Sequence, residues 1–290
     1  MLLKQCLGNN KPALAKLLSI KAYSKALSCT DNIFAERKEP LLIINHCYNL
    51  ANRYNPIKLG KSPSLSISVI LRNGLLLFAG LSVVAVMMLR FLPVPTTSFM
   101  LYRHYEDLID DLSFKSINYT WVSAKNISSN ASAAVIASED QQFYQHFGFD
   151  LLSIRSSITA YLHGGRRLRG ASTITQQVAK NLFLTPSKSF IRKGLEAWFT
   201  LLIELLWSKQ RILTVYLNVA EFGDHLFGIE AASQHYFGSP AKNLSRSQAA
   251  ILAATLPNPL RLRAASPSNY VLRRQNWILR QMHNKGNSNN

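Results

Sequence analysis

The segment VILRNGLLLFAGLSVVAVMMLRFLPVP constrains this chain more than any other. Its residues 73–89 hold no charge, and Arg72 and Arg90 bracket them. A helix crossing a bilayer core needs about 20 apolar residues. Extending the segment to residues 67–92 reaches that length, with both arginines snorkelling to the headgroups. A buried core helix or the core of a signal peptide would have a similar composition. A cleaved signal, however, belongs at the extreme N-terminus, and this segment begins only at residue 67. The expectation is a single membrane span. Arg53, Lys58, Lys61 and Arg72 precede it closely, whereas Arg103 is the first basic residue after Arg90. The positive-inside rule then predicts a cytosolic N-terminus and a C-terminal domain outside.

The 290 residues include 33 Lys and Arg against 15 Asp and Glu, a net charge of +18. Nucleic acid, a membrane surface or an anionic substrate would each suit that charge. The excess is dispersed, +7 in residues 1–65 and +9 in residues 96–290, with no dominant basic tract. The run RRLRG (166–170) could touch nucleic acid, but the topology puts it outside the cytosol, so no nucleic-acid partner is expected. Cys6, Cys29 and Cys47 all precede the span, in no zinc-like spacing, and read as free thiols in a reducing compartment. The outer domain has no cysteine and owes no stability to disulfides. Residues 1–66 read as a separate cytoplasmic tail of mixed periodicity. A membrane-surface segment, a disordered tail or a start placed too early all fit it.

Beyond the span the pattern is helical. AAVIASEDQQFYQHF is expected to form one helix stopped at Gly148. Asp150 can cap LLSIRSSITAYLH, which ends at Gly164 and Gly165. Thr173 with Gln176, and Ser245 with Gln248, match capping boxes. RKGLEAWFTLLIELLW and KQRILTVYLNVAEF are long apolar-periodic runs separated near Ser208, Pro257 stops SRSQAAILAATLP, and SNYVLRRQNWILRQM is a last amphipathic run. Strand-like alternation is scarce, so a mainly α domain with little sheet is predicted.

Three clusters could carry chemistry. On the expected helix Glu139, Gln142, Phe143 and His146 share one face, with Asp140 displaced from it. A carboxylate so placed can serve as general acid or base, or it can be an ordinary solvated helix charge. In RKGLE, Arg192, Lys193 and Glu196 can present to one side of a helix, with Lys188 upstream. Two or three cations around one carboxylate make a diphosphate cradle, although a plain helix salt bridge has the same spacing. GASTITQQ places Ser172, Thr173, Gln176 and Gln177 at a helix start, with Lys180 following on the face of Gln176. Free N–H groups there suit an anion or sugar hydroxyls, and capping alone explains Thr173 and Gln176. SPAK (239–242) matches the serine–x–x–lysine pattern of transpeptidases, but no partner elements follow it. HExxH, P-loop and dinucleotide fingerprints are absent from the sequence.

Taken in order, ASEDQQFYQHFGFD, RGASTITQQVAKNLFL, RKGLEAWF, KQRILTVYLNVAEFG and SQAAILAATLPNP resemble the motifs of family 51 glycosyltransferases. These are the peptidoglycan glycosyltransferases, which occur alone or as the first module of class A penicillin-binding proteins. The likeness spans roughly residues 90–285, and the short chain with one span is most similar to the monofunctional members of Gram-negative bacteria. It implies a lysozyme-like helical domain over residues 93–285, with 286–290 as a tail. It also implies an inner-membrane, single-pass enzyme whose catalytic domain is periplasmic. The implied reaction polymerises lipid II with release of undecaprenyl diphosphate, and the growing glycan on that lipid is the donor. The resemblance maps the general base onto Glu139 and a neighbouring, structural acid onto Asp140. Glu196 and Lys193 map near the donor diphosphate with Arg192, and Ser172, Thr173, Gln176, Gln177 and Lys180 map onto the substrate-binding motif. Lys188 stands where many members have Arg, keeping the charge without the bidentate geometry. No cofactor is required by the sequence, although Mg or Mn could bridge diphosphate and carboxylate. Other cell-wall synthesis or division proteins are candidate partners. A glycan hydrolase of the same fold and a membrane-anchored scaffold are the rival readings.

Overall fold

In the computed structural model the described residues are 67–110, 114–163, 172–187 and 189–287. The N-terminal tail, Lys188 and the RRLRG run lie outside them. Contacts divide the chain between Ile67 and Ser68, and the description concerns the second unit.

Helix α1, Ile67–Phe91, is the expected apolar segment. At 1.5 Å per residue its 25 residues measure about 37 Å, more than a hydrocarbon core requires. Leu71, Leu75, Leu76, Leu81, Val84 and Met88 are exposed, while Ser82 and Val86 are buried. Among the described residues it is the one helix long and apolar enough to cross a membrane. Its C-terminal half is tied to the domain by two indoles: Trp198 Nε1 donates to Ser82 Oγ (3.1 Å) and Trp207 Nε1 to the Val86 carbonyl (2.8 Å). Arg211 donates to the carbonyls of Leu89 and Leu92, so the segment's exit is anchored as well.

The domain that follows is helical. Its helices are α2 (Ser98–Asp110), α3 (Ser129–Glu139), α4 (Leu151–Leu162), α5 (Ile174–Phe183) and α6 (Phe190–Leu206). The second half holds α7 (Lys209–Val219), α8 (Ile229–Phe237), α9 (Arg246–Thr255) and α10 (Asn269–Asn287). Asp150, Ser189, Ser208 and Ser245 each cap a helix with a side-chain oxygen, and both expected capping boxes form. These caps are readable from sequence because donor and acceptor lie within one turn.

Helix α7 is the axis of the core, buried from Ile212 to Val219. Helix α5 packs between α6 and α7, burying Ile174, Val178, Ala179 and Leu182. Helices α3 and α9 pack together, Ala131 and Ala134 being buried on one and Ala249, Ala250 and Ala253 on the other, and α10 packs on both.

Two expectations fail. The run KQRILTVYLNVAEF does not stay helical to its end. It leaves the helix at Val219, and Glu221–Gly223 (β2) pairs antiparallel with Leu226–Phe227 (β3). Asn118–Tyr119 (β1) adds to β3 in parallel, giving a small sheet of order β1-β3-β2. The run AAVIASEDQQFYQHF is also not one helix. Helix α3 stops at Glu139, and Asp140 adopts φ −156° and ψ 79°. The reason is tertiary: an Asp140 carboxylate oxygen accepts from Ile174 N (3.0 Å) at the start of α5, where free donors and the helix dipole favour an anion. The other oxygen lies 2.9 Å from His146 Nε2. Gly148, expected as a helix stop, instead ends the turn segment with φ +77°. Its carbonyl accepts from Thr173 Oγ (2.7 Å).

Candidate active site

The end of α3 leaves Glu139 beside the turn that follows rather than in mid-helix. Gln142 is exposed and Phe143 is buried, so the single face expected for Glu139, Gln142, Phe143 and His146 does not exist. Glu139 instead faces α5 and α10. Gln177 Nε2 donates to Glu139 Oε2 (3.1 Å), and Arg274 donates to Glu139 Oε1 (3.3 Å) and to the Ser138 carbonyl (3.3 Å). The Glu139 side chain keeps 13% of its surface, so it is not sealed from solvent. Asp140 is buried and fully engaged by His146 and Ile174 N. The two adjacent acids therefore have different work: Asp140 holds the backbone turn and Glu139 is presented by it.

Helix α6 carries the second acid. Glu196 is 3% exposed, with Arg192 donating to one oxygen (2.6 Å) and Lys193 to the other. The spacing is that of a surface helix pair, yet the carboxylate is buried while Lys193 remains half-exposed. A bare buried carboxylate would be costly, so the two cations are needed to keep Glu196 there, and the half-exposed Lys193 is open to solvent.

Lys180 connects the clusters. Its ammonium lies 5.2 Å from the Phe99 ring centroid and makes no hydrogen bond among the described residues. Its pKa is lowered by burial, with Arg192 and Lys193 acting in the same sense and Glu196 and Glu139 opposing. One lysine thus feels both carboxylates and both cations, which joins three sequence motifs into one site. Thr173 and Gln176 are buried, and their polar atoms serve the capping box and Gly148, so they shape the entry to α5. Ser172 is exposed just ahead of them.

Sequence reasoning missed Arg274, Tyr216, Glu204 and Lys209. Tyr216 reaches Gln177 from α7 (3.1 Å). Glu204 accepts from Thr175 Oγ (2.6 Å) and Lys209 Nζ (2.8 Å), and Lys209 also donates to the His146 carbonyl (2.7 Å). This pair pins the turn that presents Glu139 against α5 and α6. A phenol in the apolar run of α7 is a usable signal, since its buried hydroxyl needs a partner. Arg274 has no such mark, being one of several arginines on an amphipathic helix.

Among the described residues no group of three or more His, Cys, Asp or Glu could hold a metal ion. A helical domain behind an apolar helix, with one partly exposed acid and another clamped beside cations, is an arrangement that can combine proton transfer with stabilisation of an anion. The transglycosylase family model matches residues 106–283, more than half of the chain. The chain belongs to the transglycosylase family. Its relatives include the biosynthetic peptidoglycan transglycosylase of Cronobacter sakazakii (strain ATCC BAA-894), 50% identical over 74% of this chain and 88% of the relative. The proteins of the same name from Shigella sonnei (strain Ss046) and Escherichia coli (strain K12 / DH10B) are each 54% identical over 67% of this chain and 80% of the relative.

Proposed function

We propose that the protein is a membrane-anchored peptidoglycan glycosyltransferase that polymerises lipid II, with Glu139 as general base. The 4-hydroxyl of the incoming GlcNAc attacks C1 of the donor MurNAc. The new C1–O4 bond forms with inversion as the C1–diphosphate bond breaks. Glu139 takes the hydroxyl proton, and the leaving diphosphate carries away the bonding pair. Lys193, Arg192 and Lys180 face the charge that develops on it. Gln177 and Ser172 line the approach from α5, and Lys188 would add charge upstream of α6. The observation that carries this reading is the pairing of a partly exposed acid, Glu139, held by Gln177 and Arg274, with a second acid, Glu196, held by the cations Arg192 and Lys193. A divalent cation, where one takes part, would supply further charge neutralisation for the diphosphate, and chelation with EDTA during turnover reads its contribution.

Helix α1 anchors the enzyme where both lipid-linked substrates reside, with the catalytic domain periplasmic and residues 1–66 in the cytosol. A reporter active only in the periplasm, fused after residue 290, checks the orientation. Incubating the protein in liposomes with lipid II should yield polymer and undecaprenyl diphosphate together. Cleavage of finished glycan without diphosphate release would favour the hydrolase instead.

Lys180 gives a pH prediction. A lysine is charged below its pKa, and here burial moves that pKa below the ordinary 10.5. The alkaline fall in rate should therefore begin earlier than for an exposed lysine. Lys180→Arg, whose cation does not titrate in this range, should move the fall to higher pH. A pH–rate profile of the two proteins reads it, and coincident alkaline limbs would remove Lys180 from the titrating machinery.

A further inference from the structure

We propose that Tyr216 is a positioning residue that keeps Glu139 in its proton-accepting form, acting through the side-chain amide of Gln177. The inference rests on the reading of Glu139 as the base. Tyr216 is 1% exposed, and its hydroxyl donates to Gln177 Oε1 at 3.1 Å. The opposite end of the same amide, Nε2, donates to Glu139 Oε2, also at 3.1 Å.

A primary amide has an acceptor end and a donor end of nearly equal shape. With its donor end toward Glu139 it suits the carboxylate, which only accepts. With its acceptor end there it suits the protonated carboxyl, which can donate. The group behind the amide selects between the two. Among the described residues the Tyr216 hydroxyl bonds to Gln177 alone, so its buried proton has an acceptor only while Oε1 faces it. A flipped amide would leave that O–H unpaired, an unfavourable state in the core. Burial raises the Tyr216 pKa, and the charges of Glu139 and Asp140 add to the effect, so the phenol retains its proton.

Other groups act on Glu139 from every side. Arg274 on α10 donates to Glu139 Oε1, and Lys180 is the cation on α5. Asp140 is adjacent, its carboxylate engaged by His146 and Ile174 N, and Ser138 Oγ lies 3.5 Å away. Tyr216→Phe changes none of these charges. It removes only the proton that fixes the amide.

The test is the pH dependence of kcat for lipid II polymerisation by the full chain in liposomes, for wild type, Tyr216→Phe, Gln177→Ala and the double variant. Tyr216→Phe should raise the acid limb by roughly half a pH unit with KM little changed, the equivalent of one lost neutral hydrogen bond. In the Gln177→Ala background the same substitution should move the limb no further, because the connection is already cut. An unmoved acid limb in folded Tyr216→Phe would overturn the proposal, as would equal shifts with and without Gln177. Should Tyr216→Phe fail to fold, Gln177→Ala can still overturn the proposal: an unmoved acid limb there would mean that the amide through which Tyr216 acts carries nothing to Glu139. Glu139→Gln is run beside them. Full activity there sinks the base assignment and the relay together, whereas an inactive Glu139→Gln with an unmoved Tyr216→Phe limb sinks the relay only.

Discussion

Glu139→Gln is expected to leave a folded protein that makes essentially no glycan, its rate lowered about 10²- to 10⁴-fold, the range that a positioned base contributes. Gln has nearly the shape of Glu and can still accept from Arg274, so the fold should persist. What it lacks is a site for the hydroxyl proton. Its amide also places donor against donor where Gln177 Nε2 approaches, which costs about 1 kcal/mol and no more than the end of α3 can absorb. Asp140→Asn provides the contrast. Asp140 is sealed between His146 and the first N–H of α5, so its loss should lower the unfolding midpoint as well as the rate. Polymerisation from lipid II, read beside thermal unfolding for both variants, separates the roles. Wild-type turnover in Glu139→Gln would remove it as the base, and an inactive, destabilised Glu139→Gln beside a robust Asp140→Asn would reverse the two assignments.

The largest expected effect on stability lies far from the chemistry, at Gly228. It opens α8 with φ +86° and ψ 149°, a region that side chains avoid. A Cβ there would stand 2.6 Å from the Asn218 carbonyl oxygen, backbone that cannot rotate away. Asn218 is itself locked: its side chain accepts from Val122 N (2.8 Å) and donates to the Val122 carbonyl (2.9 Å), joining α7 to the strand region. Gly228 N meanwhile donates to the Ala220 carbonyl (2.9 Å). Gly228→Ala should combine conformational strain with overpacking and destabilise by about 4 kcal/mol. Gly238→Ala is the matched control: φ is +59°, but nothing lies within 4 Å of the added methyl, so only about 1 kcal/mol of left-handed strain is expected. Denaturant titration of both in detergent checks the difference. Equal midpoints would mean that α7 and α8 can move apart more easily than their packing implies.

What could be read in advance divides by the range of the interaction. The motifs named Glu139 and Asp140 as a pair without saying which was free. The choice depended on the α5 N-terminus, 34 residues away, which draws in Asp140 and ends α3 one residue earlier. Arg192, Lys193 and Glu196 stood together on one helix turn and met as expected, because their spacing is their geometry. The sheet was missed because EFGDHLFG is too short to alternate, and its strands exist by pairing with each other and with Asn118–Tyr119.

By itself, then, the sequence determined the apolar helix, the helix caps and the cation clamp on Glu196, all settled within a few residues by hydrophobic length or by hydrogen bonds inside one turn. Tertiary structure alone decided where α3 stops, that Gln177 and Arg274 converge on Glu139, and that Tyr216 backs Gln177 from the core. Those hydrogen bonds join residues 34 to 135 positions apart, and local propensity gives way wherever a buried charge or donor finds its partner across such a distance.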